Sequence, residues 1–339
     1  MGDLNTINTV SIGGHTKTAG LMGYPVGHTK SPLIHNTLAR FYGDDVFYMP
    51  FEVLPEKLCE AVKGAAALGL IGLNVTVPHK SAVMPYLIDI DPPAKAIGAV
   101  NTLAAVYSRG KEQKQNSPNN RNDGINIDKT GSAEDSTTDG YVIGYKGYNT
   151  DILGLSQAMK RGGFEIEGKT ILILGAGGAA RAVAFLCAYE KAGRIIIANR
   201  SKDKADGLKN AVINNLGPSE SIETVEYPDL LNRLKEAGDA DICIQCTSVG
   251  LYPNVDDCVL NGETEEVFDH IQSGIDLIYK PEKTAFMKKL EERGKKTMNG
   301  LSMLMYQGVI AYEIFTGRWN GSIQTDDEVL DEIYRKLRE

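Results

Sequence analysis

The sequence has no apolar run long enough to cross a membrane as a helix, which takes about 20 consecutive apolar residues. Its first stretch, Met1 to Lys17, is polar and lacks a continuous apolar segment, so it does not read as a secretory signal. An excess of positive charge is missing too. The net charge of −8 argues against non-specific nucleic-acid binding, and any anionic ligand must be met by local positive groups. Cysteine is sparse and odd in number, with five residues scattered in apolar surroundings. Cys243 and Cys246 have C-x-x-C spacing, but they sit in a strand-like run, Asp241 to Thr247, and not at a helix start that would stabilise a thiolate. His15, His28, His35, His79 and His270 show neither H-x-x-x-H spacing nor Cys/His pairing, so no metal is expected. These absences leave a cytoplasmic protein with no membrane and no nucleic-acid partner. Its 339 residues, 42% of them hydrophobic, suffice for two ordinary domains.

What is present centres on Ile171 to Ala182, I-L-I-L-G-A-G-G-A-A-R-A. Four β-favouring residues run into Gly175, Gly177 and Gly178, then into a good helix former, which reads as strand, tight turn and helix. The spacing fits G-x-G-x-x-A: Gly175 makes the turn, Gly177 lets backbone approach a pyrophosphate, and Ala180 allows close helix–strand packing. The helix start offers N–H groups to an anion. A second strand, Arg194 to Asn199, follows at the distance of a βαβ unit and ends in Asn199-Arg200-Ser201-Lys202. A free ribose 2′-hydroxyl is usually held there by an acid, and none is present. Cations at that place suit a 2′-phosphate, hence NADP over NAD; the alternative is a solvated Arg/Lys turn.

Ahead of this unit, Ala19–Gly23 reads as a strand broken at Tyr24-Pro25, and Ser31 as the N-cap of a helix with Pro32 at its first position. Ser31 is either only a cap or, with Thr29 and Lys30, a carboxylate holder. Leu70 to Val77 is a strand stopped by Pro78, which places Asn74, Thr76 and Lys80 at a strand's carboxyl end, where ligands gather in open α/β sheets. A solvated loop lysine is the other reading of Lys80. Residues 81–90 carry helix signals. Asn101, inside the apolar run 98–106, is either a hydrogen-bond hub or a substrate contact. Residues 108–140 are almost without apolar side chains and read as a mobile surface insertion in a hairpin. Asp151 opens a helix, as a cap or with a further role.

Taken together, these stretches resemble the shikimate dehydrogenase family, with its quinate/shikimate relatives. Eight motifs occur in the family's order between Gly20 and Gly317: H-T-K-S-P at 28–32, N-V-T-V-P-H-K at 74–80, G-A-V-N-T-L at 98–103, G-Y-N-T-D at 147–151, G-A-G-G-A-A at 175–180, N-R-S at 199–201, T-S-V-G at 247–250 and Tyr306-Gln307-Gly308. The resemblance implies two α/β domains. An N-terminal substrate-binding domain spans 1–150, with 300–339 returning to it through a C-terminal helix. A Rossmann-type NADP-binding domain spans 151–299. It implies Lys80 and Asp151 as the catalytic pair, and Thr29, Ser31 and Tyr279 on the substrate carboxylate. Asn74, Thr76, Asn101 and Gln307 take the substrate hydroxyls. Gly175, Ala176, Gly177, Gly178 and Ala179 cradle the pyrophosphate, and Asn199, Arg200, Ser201 and Lys204 face the 2′-phosphate. This sequence departs from the family in Thr29 for the more usual serine, in Ile152 for the glycine common after N-T-D, and in the length of the insertion.

The implied reaction is the reversible, NADP-dependent reduction of 3-dehydroshikimate to shikimate on the route to aromatic amino acids, by a monomer or homodimer. Reducing a ring ketone needs a hydride donor and a proton donor for the developing alkoxide. A lysine beside a carboxylate keeps its charge and suits the second task. Two rival expectations remain: a quinate or aminoshikimate dehydrogenase using NAD or NADP, and a non-catalytic NADP sensor.

Overall fold

In the computed structural model, residues 12–108, 140–217 and 221–339 are described, and the insertion expected at 108–140 lies, but for its ends, outside them. The chain divides into two compact units. One takes residues 1–90, 100–148 and 311–329, and the other 91–99, 149–310 and 330–339. No helix among the described residues is long and apolar enough to cross a membrane.

The first unit is a mixed sheet built from β1 (Lys17–Gly23), β2 (Val46–Glu52), β3 (Gly72–Val75), β4 (Asp89–Ile90), β5 (Thr102–Tyr107) and β6 (Val142–Tyr148), in the order β2-β1-β3-β5-β6-β4. β1 pairs in parallel with β2 and β3, whereas β5 runs antiparallel to both β3 and β6. That reversal brings the start of β5 to the carboxyl ends of β1 and β3. Helices α1 (Ser31–Tyr42) and α2 (Leu58–Ala67) complete the alternation. Residues 81–90 are not the expected helix: they form turns, a short 3-10 turn at Met84–Tyr86 and β4. Pro85 withholds an amide donor and blocks the helical ladder there. Ser31 is likewise the first residue of α1 and not its cap, and the Thr29 hydroxyl accepts its N–H at 3.2 Å.

The second unit is an all-parallel sheet of β7 (Thr170–Leu174), β8 (Arg194–Asn199), β9 (Ile222–Glu226), β10 (Ile242–Gln245), β11 (Ser273–Asp276) and β12 (Lys296–Asn299), in the order β12-β11-β10-β7-β8-β9. Its inner strands β7, β8 and β10 are buried on both faces, which is why they read as continuous apolar runs. Along β7, Ile171 and Ile173 join the core on one face while Leu172 and Leu174 join that on the other, as a two-residue period requires. Helices α3 (Pro92–Ile97), α4 (Thr150–Arg161), α5 (Gly178–Tyr189), α6 (Lys202–Leu216), α7 (Tyr227–Ala237) and α8 (Ala285–Glu291) belong to this unit. The sheet order is the doubly wound one, reversing direction between β7 and β10, and ligands of such sheets bind outside the carboxyl ends at that reversal.

Helix α9 (Leu301–Phe315) belongs to the second unit up to Ile310 and to the first beyond it. Within the first unit, the Tyr312 hydroxyl donates to Asp44 at 2.6 Å, Arg318 reaches the same carboxylate at 2.7 Å, and Phe315 fills the space left by the absent side chain of Gly72. Of the segment 300–339 expected to return to the first domain, residues 311–329 belong with the first unit, and 300–310 and 330–339 with the second. A last helix, α10 (Asp327–Arg338), opens on two acids and closes on three basic residues, matching its dipole.

Candidate active site

The first unit gathers six of the expected site residues at one end of its sheet. Thr29 and Ser31 lie on the loop after β1, their hydroxyls 3.1 Å apart. Asn74 is within β3, and Thr76 and Lys80 follow it. Asn101 immediately precedes β5. The loops are tied by backbone: Thr76 N–H donates to Met22 C=O, Tyr24 N–H to Val77 C=O, and Val100 N–H to Lys80 C=O, at 2.8–3.1 Å. Buried His79 places Nε2 2.7 Å from the Val53 carbonyl, so the backbone on either side of Lys80 is held. Gly23 is required here, because a Cβ would stand 2.3 Å from the Thr76 methyl.

Asn74 and Asn101 are both buried. The Asn74 amide donates to the Asn101 carbonyl and the Thr102 hydroxyl, and accepts from the Tyr48 hydroxyl at 2.7 Å. Tyr48 is stacked on His35, ring centroids 3.9 Å apart. Burial raises the Tyr48 phenol well above its ordinary range and pushes His35 down to about 3, so both rings are neutral.

In the second unit, α5 starts at Gly178 with Gly177 as its N-cap and no side chain capping it. The space in front of Gly177 and Gly178 is open, and Gly175 turns at φ +110, with Thr247 against it. Unpaired N–H groups at a helix start, beside open backbone, fit a dinucleotide pyrophosphate. At the end of β8 the buried Asn199 donates to the Ser201 carbonyl, and Arg200 and Lys204 are exposed. Exposed cations after such a strand could hold a 2′-phosphate.

Helix α4 carries Asp151 in its first turn, but the cap is Asn149, whose side chain accepts the Ile152 N–H. Asp151 is thus not consumed as a cap. One turn on, Gly154 packs against α9 so closely that a Cβ would meet Gln307 N at 2.6 Å and Met303 O at 2.9 Å. Asp151 and Gly154, three apart on a helix, share a face, so the sequence brings Asp151 and Gln307 to the same side of this unit. Gly154→Ala is expected to lower stability by about 1–3 kcal/mol, because overpacking against backbone atoms outweighs the roughly 1 kcal/mol of helix propensity gained. Urea denaturation of the two proteins checks it.

Residues 21–103 match the family of shikimate dehydrogenase substrate binding domains, and residues 156–255 match the family of shikimate / quinate 5-dehydrogenases. The shikimate dehydrogenase (NADP(+)) of Methanopyrus kandleri is 36% identical over 310 residues, 91% of this chain and 93% of that one. The chain belongs to the shikimate dehydrogenase family. The enzyme of the same name from Methanothermobacter thermautotrophicus is 38% identical over 91% of this chain and 93% of its own. A crystal structure of shikimate 5-dehydrogenase from Listeria monocytogenes in complex with shikimate and NAD superposes with a TM-score of 0.74 at 29% identity, covering 96% of this chain and 98% of that one.

The residues expected at the site fall in both units. Thr29, Ser31, Asn74, Thr76, Lys80 and Asn101 lie in the first, and Asp151, Tyr279, Gln307 and the glycine-rich and N-R-S groups in the second. Tyr279 is 38% exposed on the loop after β11, and that loop hangs on a residue the sequence did not single out. Asp276 is fully buried and accepts from Ile278 N–H at 2.9 Å, Thr284 Oγ1–H at 2.6 Å and Gln245 Nε2–H at 3.5 Å. Burial nevertheless raises its carboxyl to about 6, against a hydrogen-bond set that lowers it. A carboxyl raised in the folded state stabilises fully below its unfolded pKa, and that contribution is lost as pH rises through about 6. Between about pH 4 and about pH 7, the stability of Asp276→Asn relative to wild type is expected to rise by about 2 kcal/mol. Thermal melts across that range check it.

Proposed function

We propose that the protein is an NADP-dependent oxidoreductase that interconverts 3-dehydroshikimate and shikimate. The observation that carries this reading is the family match across both units, with N-V-T-V-P-H-K and G-Y-N-T-D intact. We assign substrate binding to 1–150 and 300–339, and NADP binding to 151–299. The uncapped start of α5 and the cations after β8 fit the dinucleotide, which when bound supplies or accepts the hydride.

This chain's own residues handle the proton and the orientation. Lys80 stabilises the oxygen of the ring ketone as negative charge develops and delivers the proton to it; in the oxidising direction it takes that proton back. Asp151 supplies the carboxylate of the same acid–base step, a kind of assistance typically worth about 10²–10⁴-fold. Thr29, Ser31 and Tyr279 bind the substrate carboxylate through hydroxyl donors, and Asn74, Thr76, Asn101 and Gln307 bind its hydroxyls. Gly175, Ala176, Gly177, Gly178 and Ala179 present backbone to the pyrophosphate, and Asn199, Arg200, Ser201 and Lys204 face the 2′-phosphate.

Given 3-dehydroshikimate and NADPH, the purified protein is expected to form shikimate in step with NADPH consumption, the product identified by chromatography against the authentic compound. Tight NADP binding with no shikimate formed would make it a sensor of the dinucleotide instead.

A further inference from the structure

The direction of the hydrogen bonds around Asn74 is set by one atom that can only accept. Asn74 Nδ2 lies 3.3 Å from the backbone carbonyl of Asn101, so the amino group of that amide must face it and Oδ1 must face the Tyr48 hydroxyl, 2.7 Å away. The second proton of the same amino group reaches Thr102 Oγ1 at 3.1 Å. A hydroxyl has one proton to give, and with Oγ1 accepting from Asn74, that proton goes to Asn101 Oδ1 at 3.1 Å. The amide of Asn101 thereby turns its carbonyl to Thr102. Thr102 itself is completely buried.

We propose that Thr102 is a positioning residue for substrate recognition, acting through Asn101: its hydroxyl sets which end of the Asn101 amide meets a substrate hydroxyl. The inference rests on the assignment of Asn101 to the substrate made above. Valine at 102 keeps the shape and removes the Thr102 donor to Asn101 Oδ1, while Asn74 stays oriented by the Asn101 backbone carbonyl and the Tyr48 hydroxyl. A reversed Asn101 amide offers a carbonyl where a donor is required.

The test is steady-state kinetics with shikimate and NADP for Thr102→Val, Thr102→Ser, Asn101→Ala and the double variant Asn101→Ala/Thr102→Val, with Thr102→Ala as the smaller replacement should the valine protein fail to fold. Thr102→Val is expected to lower kcat/KM by about tenfold or more, mainly through KM, the size of one lost hydrogen bond to an oriented group. Its affinity for NADP stays at the wild-type value, and Thr102→Ser recovers most of the loss. The double variant is expected to be no worse than Asn101→Ala alone, which a purely structural role would not produce. Wild-type KM for the valine and alanine proteins beside an impaired Asn101→Ala, or losses that simply multiply in the double variant, overturns the proposal. An unaltered KM in Asn101→Ala removes the substrate assignment of Asn101, and the proposal with it.

Discussion

Lys80→Ala is expected to lower kcat for shikimate oxidation by about 10²–10⁴-fold and leave the Kd for NADP unchanged. The backbone around Lys80 is over-determined by the Val100 N–H and by buried His79, so trimming the side chain at Cβ leaves the loop in place and removes the ammonium group with its methylene stem. The residues assigned to the dinucleotide belong to the other unit, which separates the two readouts. Fluorescence titration with NADP beside initial rates makes the comparison. A wild-type rate would remove Lys80 from the chemistry, and a parallel loss of NADP affinity would point to damaged folding.

The second large effect concerns the dinucleotide. Arg200→Ala combined with Lys204→Ala is expected to weaken NADP binding by about ten- to hundredfold for each charge-assisted hydrogen bond lost, and to leave NAD binding nearly as it was. Both side chains are exposed, so their removal costs the fold little. No acid ends β8 to hold a 2′-hydroxyl, so NAD has nothing at this place to lose. Titrations of the double variant with each dinucleotide test the assignment. An equal loss for both would move the interaction from the 2′-phosphate to the shared part of the molecule.

Local pattern made much of this legible. The run Ile171 to Gly178 is strand, turn and helix because apolar residues, glycines and alanines follow one another within a few positions, and each imposes its geometry locally. The helix expected at 81–90 failed for a local reason too: its apolar spacing is helical, but Pro85 forbids the ladder. For α4 the cap falls on Asn149, two residues before Asp151, and α1 begins at Ser31 behind Lys30 with no side-chain cap. Helices α6, α7 and α10 and strands β9 and β12 were not assigned, although α7 and α10 are strongly amphipathic. What the chain does not reveal is who meets whom across the fold. Asn74 and Thr102 are 28 positions apart, and Tyr48 and Asn74 are 26 apart, so the relay exists only once β3 and β5 are paired. Asp276 looks like any polar residue ending a strand until Thr284 and Gln245 close around it.

Initial rates with shikimate and quinate, each against NADP and NAD, measure the protein's preference for shikimate and for NADP. The highest kcat/KM is expected for shikimate with NADP, above each other pairing by roughly tenfold or more. Equal or faster turnover of quinate, or of shikimate with NAD, would contradict it.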